Sequence, residues 1–415
     1  MYLELNKVLS PEGAALREET HRFVAEVLRP AAIQLDKLSA EEVIAPGSVL
    51  RDVFRQAYEQ GYHVRGFPPQ LGGAGLSGLE AHIVGEELGW ASAGLAIGLG
   101  VTVFPFLFAL RNAALTGDKG LMEEIVMPFV EDRKGRYIGC WAMTEPDHGS
   151  DSLLFGTEQF GDPDICFQVQ ARLDGDEWVI SGQKSAWVSN GTIATHACTF
   201  LTIDPSKGMN GGGVAVIPLD LPGVSKGPPL EKLGQRDLNQ GEIFFDNVRI
   251  PKPYMLVDQE TYPVIVDGIL AAANAGMSNT FTGLARAAFE EALEYTRQRV
   301  QGGRPICEHQ LVQDRLFHMF RKVESARALS RAASLYNQAT IPPATEYSIA
   351  AKVHCTQIAF EVASDAIQLL GGYGLSKEFH VEKLFRDARA SMIEDGCNEV
   401  LGLAAARRLV DGYKV

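Results

Sequence analysis

Cys166-Phe-Gln-Val-Gln-Ala-Arg-Leu173 is the stretch whose pattern decides the fold. Phe167, Val169, Ala171 and Leu173 fall on one side of an extended chain and Gln168, Gln170 and Arg172 on the other, the period of two of a half-buried antiparallel strand. Asp174-Gly175 signals a turn, and Trp178, Val179 and Ile180 resume a second strand. Further along, residues 197–203, 214–219 and 242–248 carry β-like runs separated by loops such as Pro205-Ser-Lys-Gly-Met-Asn-Gly-Gly-Gly213. Residues 136–256 therefore read as a small antiparallel β-domain.

On either side the period changes. Residues 13–35 and 49–62 read as helices, broken by the Pro and Gly cluster at 67–78, which makes residues 1–135 an N-terminal helical domain. After Pro263 no proline appears until Pro305, then none until Pro342 and none beyond Pro343. In the first of these windows Ala285, Phe289 and Leu293 recur every four residues, while Glu290, Glu291 and Glu294 face elsewhere. Three long amphipathic helices with short connections predict an up-and-down four-helix-bundle domain over residues 257–415. The fold class is α+β: helices, a central β-domain, then helices.

Composition narrows the function. The 415 residues carry 38 basic and 52 acidic side chains, a net charge of −14, which argues against a sequence-independent nucleic-acid or anionic-membrane binder. Residues 1–16 resemble neither a signal peptide nor a transit sequence, so a cytoplasmic location is expected. Residues 95–110 are apolar, but Gly residues and Pro105 interrupt them and they fall short of the roughly 20 residues of a spanning helix, so they read as a buried helix. The six cysteines lie far apart with no CxxC pair and read as reduced thiols. No HExxH or paired histidine spacing suggests a metal, and His148 and His309 read as surface or packing residues.

Two familiar motifs are discounted. Gly73-Ala-Gly75-Leu-Ser-Gly78 matches GxGxxG but follows Phe67-Pro68-Pro69 rather than a strand. Gly223-Val-Ser225-Lys-Gly227 matches GxSxG, yet Pro228-Pro229 forbids the helix a nucleophile elbow needs, so it reads as a turn.

A set of unusual strings in fixed order remains. Trp141-Ala-Met143-Thr144-Glu145-Pro146-Asp147-His148-Gly149-Ser150-Asp151 leaves a strand into a Gly/Ser loop, whose backbone N–H groups suit a polar ring or phosphate edge. Then come Gly182-Gln-Lys-Ser-Ala-Trp187-Val-Ser189-Asn190, Leu233-Gly-Gln-Arg236, Phe245-Asp-Asn-Val-Arg-Ile-Pro251, Gln368-Leu-Leu-Gly371-Gly372-Tyr-Gly374, Arg386-Asp-Ala388 and Ile393-Glu394-Asp395-Gly396-Cys397-Asn-Glu399. In this order and layout they resemble the acyl-CoA dehydrogenase family from about residue 10 to 410.

The resemblance implies FAD, an acyl-CoA thioester oxidised to its α,β-enoyl form, and an electron-transferring flavoprotein as acceptor. It implies that Trp141, Met143 and Thr144 line the flavin ring, Gly149 and Ser150 lie near its edge and the substrate path, and Trp187 and Ser189 close its other side. Arg299, Gln310, Gln368, Gly371 and Gly372 match positions that hold the adenosine and diphosphate end across a dimer interface, which implies a homotetramer. Arg suits diphosphate through its fixed fork of donors. Ser150, Asn274 and Gly396 match positions near the substrate, and Cys397 and Glu399 match positions beside the flavin.

Several positions depart from the family pattern. The usual base is a Glu before Gly-Thr; here Asp395 precedes Gly396-Cys397, shorter by about 1.3–1.5 Å of reach. The alternate base position on the first bundle helix is Ala273, and Asn274 stands where an Arg is common. Arg299-Val-Gln-Gly302-Gly303 lacks the aromatic of RxxFG, Glu399 replaces an amide or apolar residue, and the segment 182–187 is one residue longer than usual. The leading expectation is α-proton abstraction by Asp395, its pKa raised by burial, with the Asp395 N–H and a ribityl hydroxyl on the thioester oxygen, and a bulky, cyclic or branched acyl group. A flavin oxidase or monooxygenase of the nitroalkane-oxidase kind, or a dehydrogenase of a carrier-protein-bound acyl group, stays open on the same fold.

Overall fold

The computed structural model describes residues 8–414. The N-terminal helices are α1 (Pro11–Phe23), α2 (Arg29–Leu35), α3 (Ala40–Ile44), α4 (Val49–Glu59), α5 (Gly78–Ala91), α6 (Ala93–Thr102), α7 (Phe104–Thr116), α8 (Lys119–Leu121) and α9 (Met127–Val130). Their starts follow side-chain chemistry. The hydroxyls of Ser10, Ser48 and Ser92 accept otherwise orphaned N–H groups of α1, α4 and α6, and Ser39 with Glu42 forms a capping box on α3.

The apolar stretch expected at residues 95–110 is longer than its sequence reading. Helical residues run over Ala93–Thr116, long and apolar enough by length and composition to cross a membrane. The glycines within it are tolerated because the helix lies inside the protein: just over half of it is buried, and α7 packs on the sheet. The break comes at Val103, two residues before Pro105.

The β-domain comprises β1 (Gly139–Ala142), β2 (Gln170–Asp174), β3 (Glu177–Lys184), β4 (His196–Thr202), β5 (Gly212–Pro218), β6 (Val224–Pro229), β7 (Gly241–Pro251) and β8 (Met255–Val257). The strand order is β6-β7-β3-β2-β4-β5-β8, with β1 on β4. The sheet is mixed rather than wholly antiparallel, because β1 and β2 both lie parallel to β4. In the deciding stretch the ladder starts only at Gln170. The N–H groups of Gln168 and Val169 donate instead to Glu145, while Phe167 and Val169 are buried as the alternation requires. Leu173, assigned to the inner face, is 44 % exposed because it sits at the β2–β3 turn opposite Trp178. Gly223 turns at φ 91°, but residues 224–229 pair with β7 as a strand, which corrects the turn expected there; prolines are compatible with this edge position.

The C-terminal part holds α10 (Tyr262–Gln298), a short hairpin of β9 (Val300–Gln301) and β10 (Arg304–Pro305), then α11 (Gln310–Ala339), α12 (Thr345–Leu370), α13 (Val381–Ser391) and α14 (Asn398–Gly412). Ala285, Ala288 and Ala292 of α10 and Ala359, Ala363 and Ala366 of α12 are fully buried in one core, where small side chains let the two axes approach. The N-terminal domain is locked to the bundle where α5 crosses α10. A Cβ on Gly89 would lie 1.9 Å from the Thr280 carbonyl, and one on Gly283 would lie 2.0 Å from that of Glu86, so both positions require glycine. Beside this crossing Arg286 pairs with Glu86 and Glu87 at 2.8 and 2.6 Å, all buried. Glu290 and Glu291, which the helical pattern turned away from the core, bond Trp90 of α5, and Arg29 and His380, respectively.

Candidate active site

The first component is the loop that leaves β1. Buried Glu145 accepts the Gln168 and Val169 N–H groups at 2.5 and 3.0 Å and the Lys184 ammonium at 2.7 Å. Lys184 also donates to the Met143 carbonyl at 2.9 Å and lies 4.4 Å from the Phe167 ring centroid. Burial pulls the Lys184 pKa down to about 8, against the opposing pull of Glu145. Glu145 is thus an anchor that fixes Met143 and Thr144. Thr144 accepts the Ser185 N–H at 3.0 Å and Trp141 bridges to Ser189, so backbone pairing ties the loop after β1 to the segment that carries Trp187. Trp187 is 57 % exposed, a flat ring with no protein covering most of it. Trp141 packs its ring between Phe104 and Phe200.

The second component is the segment between α13 and α14. Asp395 and Gly396 take left-handed φ values of 51° and 94°, so the chain doubles back before Cys397 caps α14. The φ of 94° favours glycine at position 396, and an added Cβ would also press on the side-chain ends of Leu153 and Leu401 at 2.7 and 2.9 Å. Ser150 Oγ accepts the Cys397 N–H at 3.0 Å. Asp395 is exposed at the mouth of the turn, yet desolvation by the protein around it raises its carboxyl pKa against the pull of the Lys352 ammonium. Among the described residues its carboxylate has no hydrogen bond or ion pair. Glu394 turns away: its carboxylate accepts Gln235 Nε2 at 2.5 Å, and burial pushes its pKa to about 7.

Asn274 is fully buried on α10; its Nδ2 donates back to the Leu270 carbonyl at 2.9 Å, and its Oδ1 has no partner among the described residues. Glu399 is exposed at the start of α14.

The third component is remote. Arg299, Gln310, Gln368, Gly371 and Gly372 do come together, with Arg304, His309 and Tyr373, around a cleft of about 1290 Å³. It lies at the far end of α12 from the Asp395 segment. At 1.5 Å per residue, the 18 residues from Lys352 to Leu370 span about 27 Å. The residues fit the two ends of FAD. Arg299 has no carboxylate partner among the described residues and stands 5.6 Å from the Tyr373 ring, a free cation for a diphosphate. A Cβ added to Gly371, at φ 60°, or to Gly372 would meet nothing within 4 Å, and the same holds for Gly149 in the first component, so backbone is open to a ligand at each.

Lys352 and Thr356 join the site from outside the motif strings, while Gln235 and Asn398 stood in strings that gave them no role. Lys352 had one signal: it is the single cation on the buried face of α12 formed by Ser348, Ile349, Cys355 and Ala359.

Profiles of the acyl-CoA dehydrogenase N-terminal, middle and C-terminal domains match residues 10–110, 140–248 and 266–410. Cyclohexane-1-carbonyl-CoA dehydrogenase of Geobacter metallireducens is 30% identical over 397 residues, covering 94% of this chain and 98% of that protein. The chain belongs to the acyl-CoA dehydrogenase family. The mitochondrial short-chain specific acyl-CoA dehydrogenase of Bos taurus is 31% identical over 402 residues, covering 96% and 90%. The solved structure of butyryl-CoA dehydrogenase from Megasphaera elsdenii superposes with a TM-score of 0.84 at 26% identity, covering 99% and 100%. As a member of the acyl-CoA dehydrogenase family the protein is an FAD-dependent oxidoreductase acting on CH–CH bonds.

Proposed function

We propose that the protein abstracts the α-proton of a cyclic or branched acyl-CoA with Asp395 while the β-hydride leaves to the flavin. The observation that carries this reading is the Asp395 carboxylate itself: crowded by protein, raised in pKa, and unbonded on a left-handed turn next to the β-domain loop. A base needs that freedom, and a raised pKa brings it nearer to the acidity it must match. Bound FAD supplies the hydride acceptor. Among the described residues the Asp395 N–H has no protein acceptor, which leaves it available to the thioester oxygen. The exposed Trp187 ring offers an apolar surface to the ring system, and Ser150 holds the turn against the β-domain.

A base one methylene shorter suits an α-carbon that approaches more closely, as a ring or branch point brings it. The similarity to a cyclohexane-1-carbonyl-CoA dehydrogenase supports this choice over straight chains. The Arg299 cleft lies about 27 Å along α12 from the Asp395 turn, and this separation supports a cofactor shared between subunits, hence a homotetramer, with an electron-transferring flavoprotein as acceptor.

Anaerobic mixing of the FAD-loaded enzyme with straight, branched and cyclic acyl-CoAs tests the reading. Cyclic or branched substrates bleach the flavin fastest, and Asp395→Asn slows bleaching by at least about 10³-fold. Equal bleaching by wild type and Asp395→Asn refutes the base. Flavin that reoxidises in air at once, with no acyl-CoA dependence, points to an oxidase instead.

A further inference from the structure

Lys352 of α12 is fully buried beneath the Asp395 turn. Its ammonium donates to the Gly396 carbonyl at 2.8 Å and to Asn398 Oδ1 at 2.9 Å. One helical turn on, Thr356 Oγ1 accepts Asn398 Nδ2 at 3.1 Å, which fixes the orientation of the Asn398 amide. No carboxylate lies within ion-pair distance of Lys352 among the described residues. A buried ammonium with only neutral partners is costly unless an anion balances it nearby.

The charged groups around the turn are few. Asp395, Glu394 and Glu399 lie on its own segment together with the Cys397 thiol, Lys232 approaches Glu394 from the 230–240 loop, and His148 and Asp151 of the β-domain loop bond each other at 2.7 Å. Glu394 is held by Gln235 and Glu399 is exposed. Asp395 is the carboxylate left free to answer the ammonium.

We propose that Lys352 is a positioning residue for the reaction: it pins the Gly396 carbonyl to hold Asp395 in its left-handed conformation, and its fixed positive charge keeps the crowded base ionised. The proposal rests on Asp395 being the base. Burial alone raises the carboxyl, and the ammonium is the one charge that opposes this shift. Burial also pulls the pKa of Lys352 down, to about 8, against the pull of Asp395, Glu394, Cys397 and Glu399.

The test compares Lys352→Gln, Lys352→Met and Asp395→Asn in the FAD-loaded enzyme. Two readouts are followed against pH: kcat/KM for flavin reduction, and α-hydrogen exchange in D2O on an acyl-CoA analogue whose β-carbon carries no hydrogen. The glutamine keeps a donor without the charge; the methionine removes both. In both variants the acid limb of the two profiles moves up by about one pH unit. Above that limb Lys352→Gln retains rates within a few-fold of wild type, and Lys352→Met falls about 10- to 100-fold as the turn loosens. If the methionine variant does not fold, Asn398→Asp, which sets a carboxylate against the ammonium, gives the same upward shift. An acid limb unmoved in Lys352→Gln and in Asn398→Asp, with exchange abolished in Asp395→Asn, overturns the role of Lys352 and leaves the base standing. Exchange that survives in Asp395→Asn overturns the base itself.

Discussion

Ser150 Oγ accepts the Cys397 backbone N–H at 3.0 Å, so a β-domain loop holds the chain two residues beyond Asp395. The bond joins two domains across the turn that carries the base. Ser150→Ala leaves a partly buried donor without its partner, a cost of about 1 kcal/mol. Displacing the base matters more: flavin reduction by acyl-CoA slows about 10-fold, while Tm falls by only about 1–3 °C. Stopped-flow absorbance and a thermal melt check both.

Arg299→Gln removes the unpaired cation from the cleft at the far end of α12. Its side chain is exposed, so the fold is retained. Loss of a charged hydrogen bond to diphosphate weakens FAD binding about 10- to 100-fold. The measured quantity is the dissociation constant from flavin fluorescence on titrating FAD into the apoprotein.

Glu394 gives the stability a pH signature. Its folded pKa of about 7 exceeds the ordinary 4.5, so the folded state binds more protons than the unfolded chain between those values. Its contribution is full below about pH 4.5 and is lost as pH rises through 7. Glu394→Gln keeps the Gln235 contact and removes the titration. The variant is more stable than wild type above pH 7, by on the order of 1–3 kcal/mol, and the gain vanishes below pH 4.5. Denaturant melts at pH 4.5, 6 and 8 give the comparison.

Lys184→Met strands the Glu145 carboxylate in the interior. Breaking one side of a buried pair costs about 3–5 kcal/mol, whereas Lys184→Met with Glu145→Gln recovers part of it. Urea unfolding of the two single variants and the double variant measures the coupling. Because Glu145 anchors Met143 and Thr144, the single variants also lose flavin on dialysis.

The layout of the molecule was legible because it rests on periodicity. Phe167, Val169 and Ala171 alternate as a strand must, and the proline-free windows after Pro263 and Pro305 became α10 and α11. What sequence could not show was where chains touch. Leu173 continued the alternation but met a turn, and residues 224–229 looked like a turn but found an edge to pair with, since tertiary neighbours and not local pattern decide both. In the site, Asp395 and Ser150 stood in recognisable strings. Gln235 also stood in such a string, but its contact with Glu394 was not legible there; Lys352 stood in none, and only folding brings it from α12 to the turn. Asn274 matched a substrate position, and only the fold shows that it is buried with its Nδ2 bonded to the Leu270 carbonyl.

The kinked apolar helix pair Ala93–Thr116 has a consequence during synthesis. Its cover is built partly from β1, β4, β5 and β8, and the last of these ends at Val257, 141 residues after Thr116. At ribosomal speeds of about 5–20 residues per second, the segment waits roughly 7–28 s for its shelter. Over that interval a nascent chain carries a greasy rod of membrane-spanning length, which makes early chaperone engagement, rather than the finished fold, the point at which production of this enzyme is most easily lost.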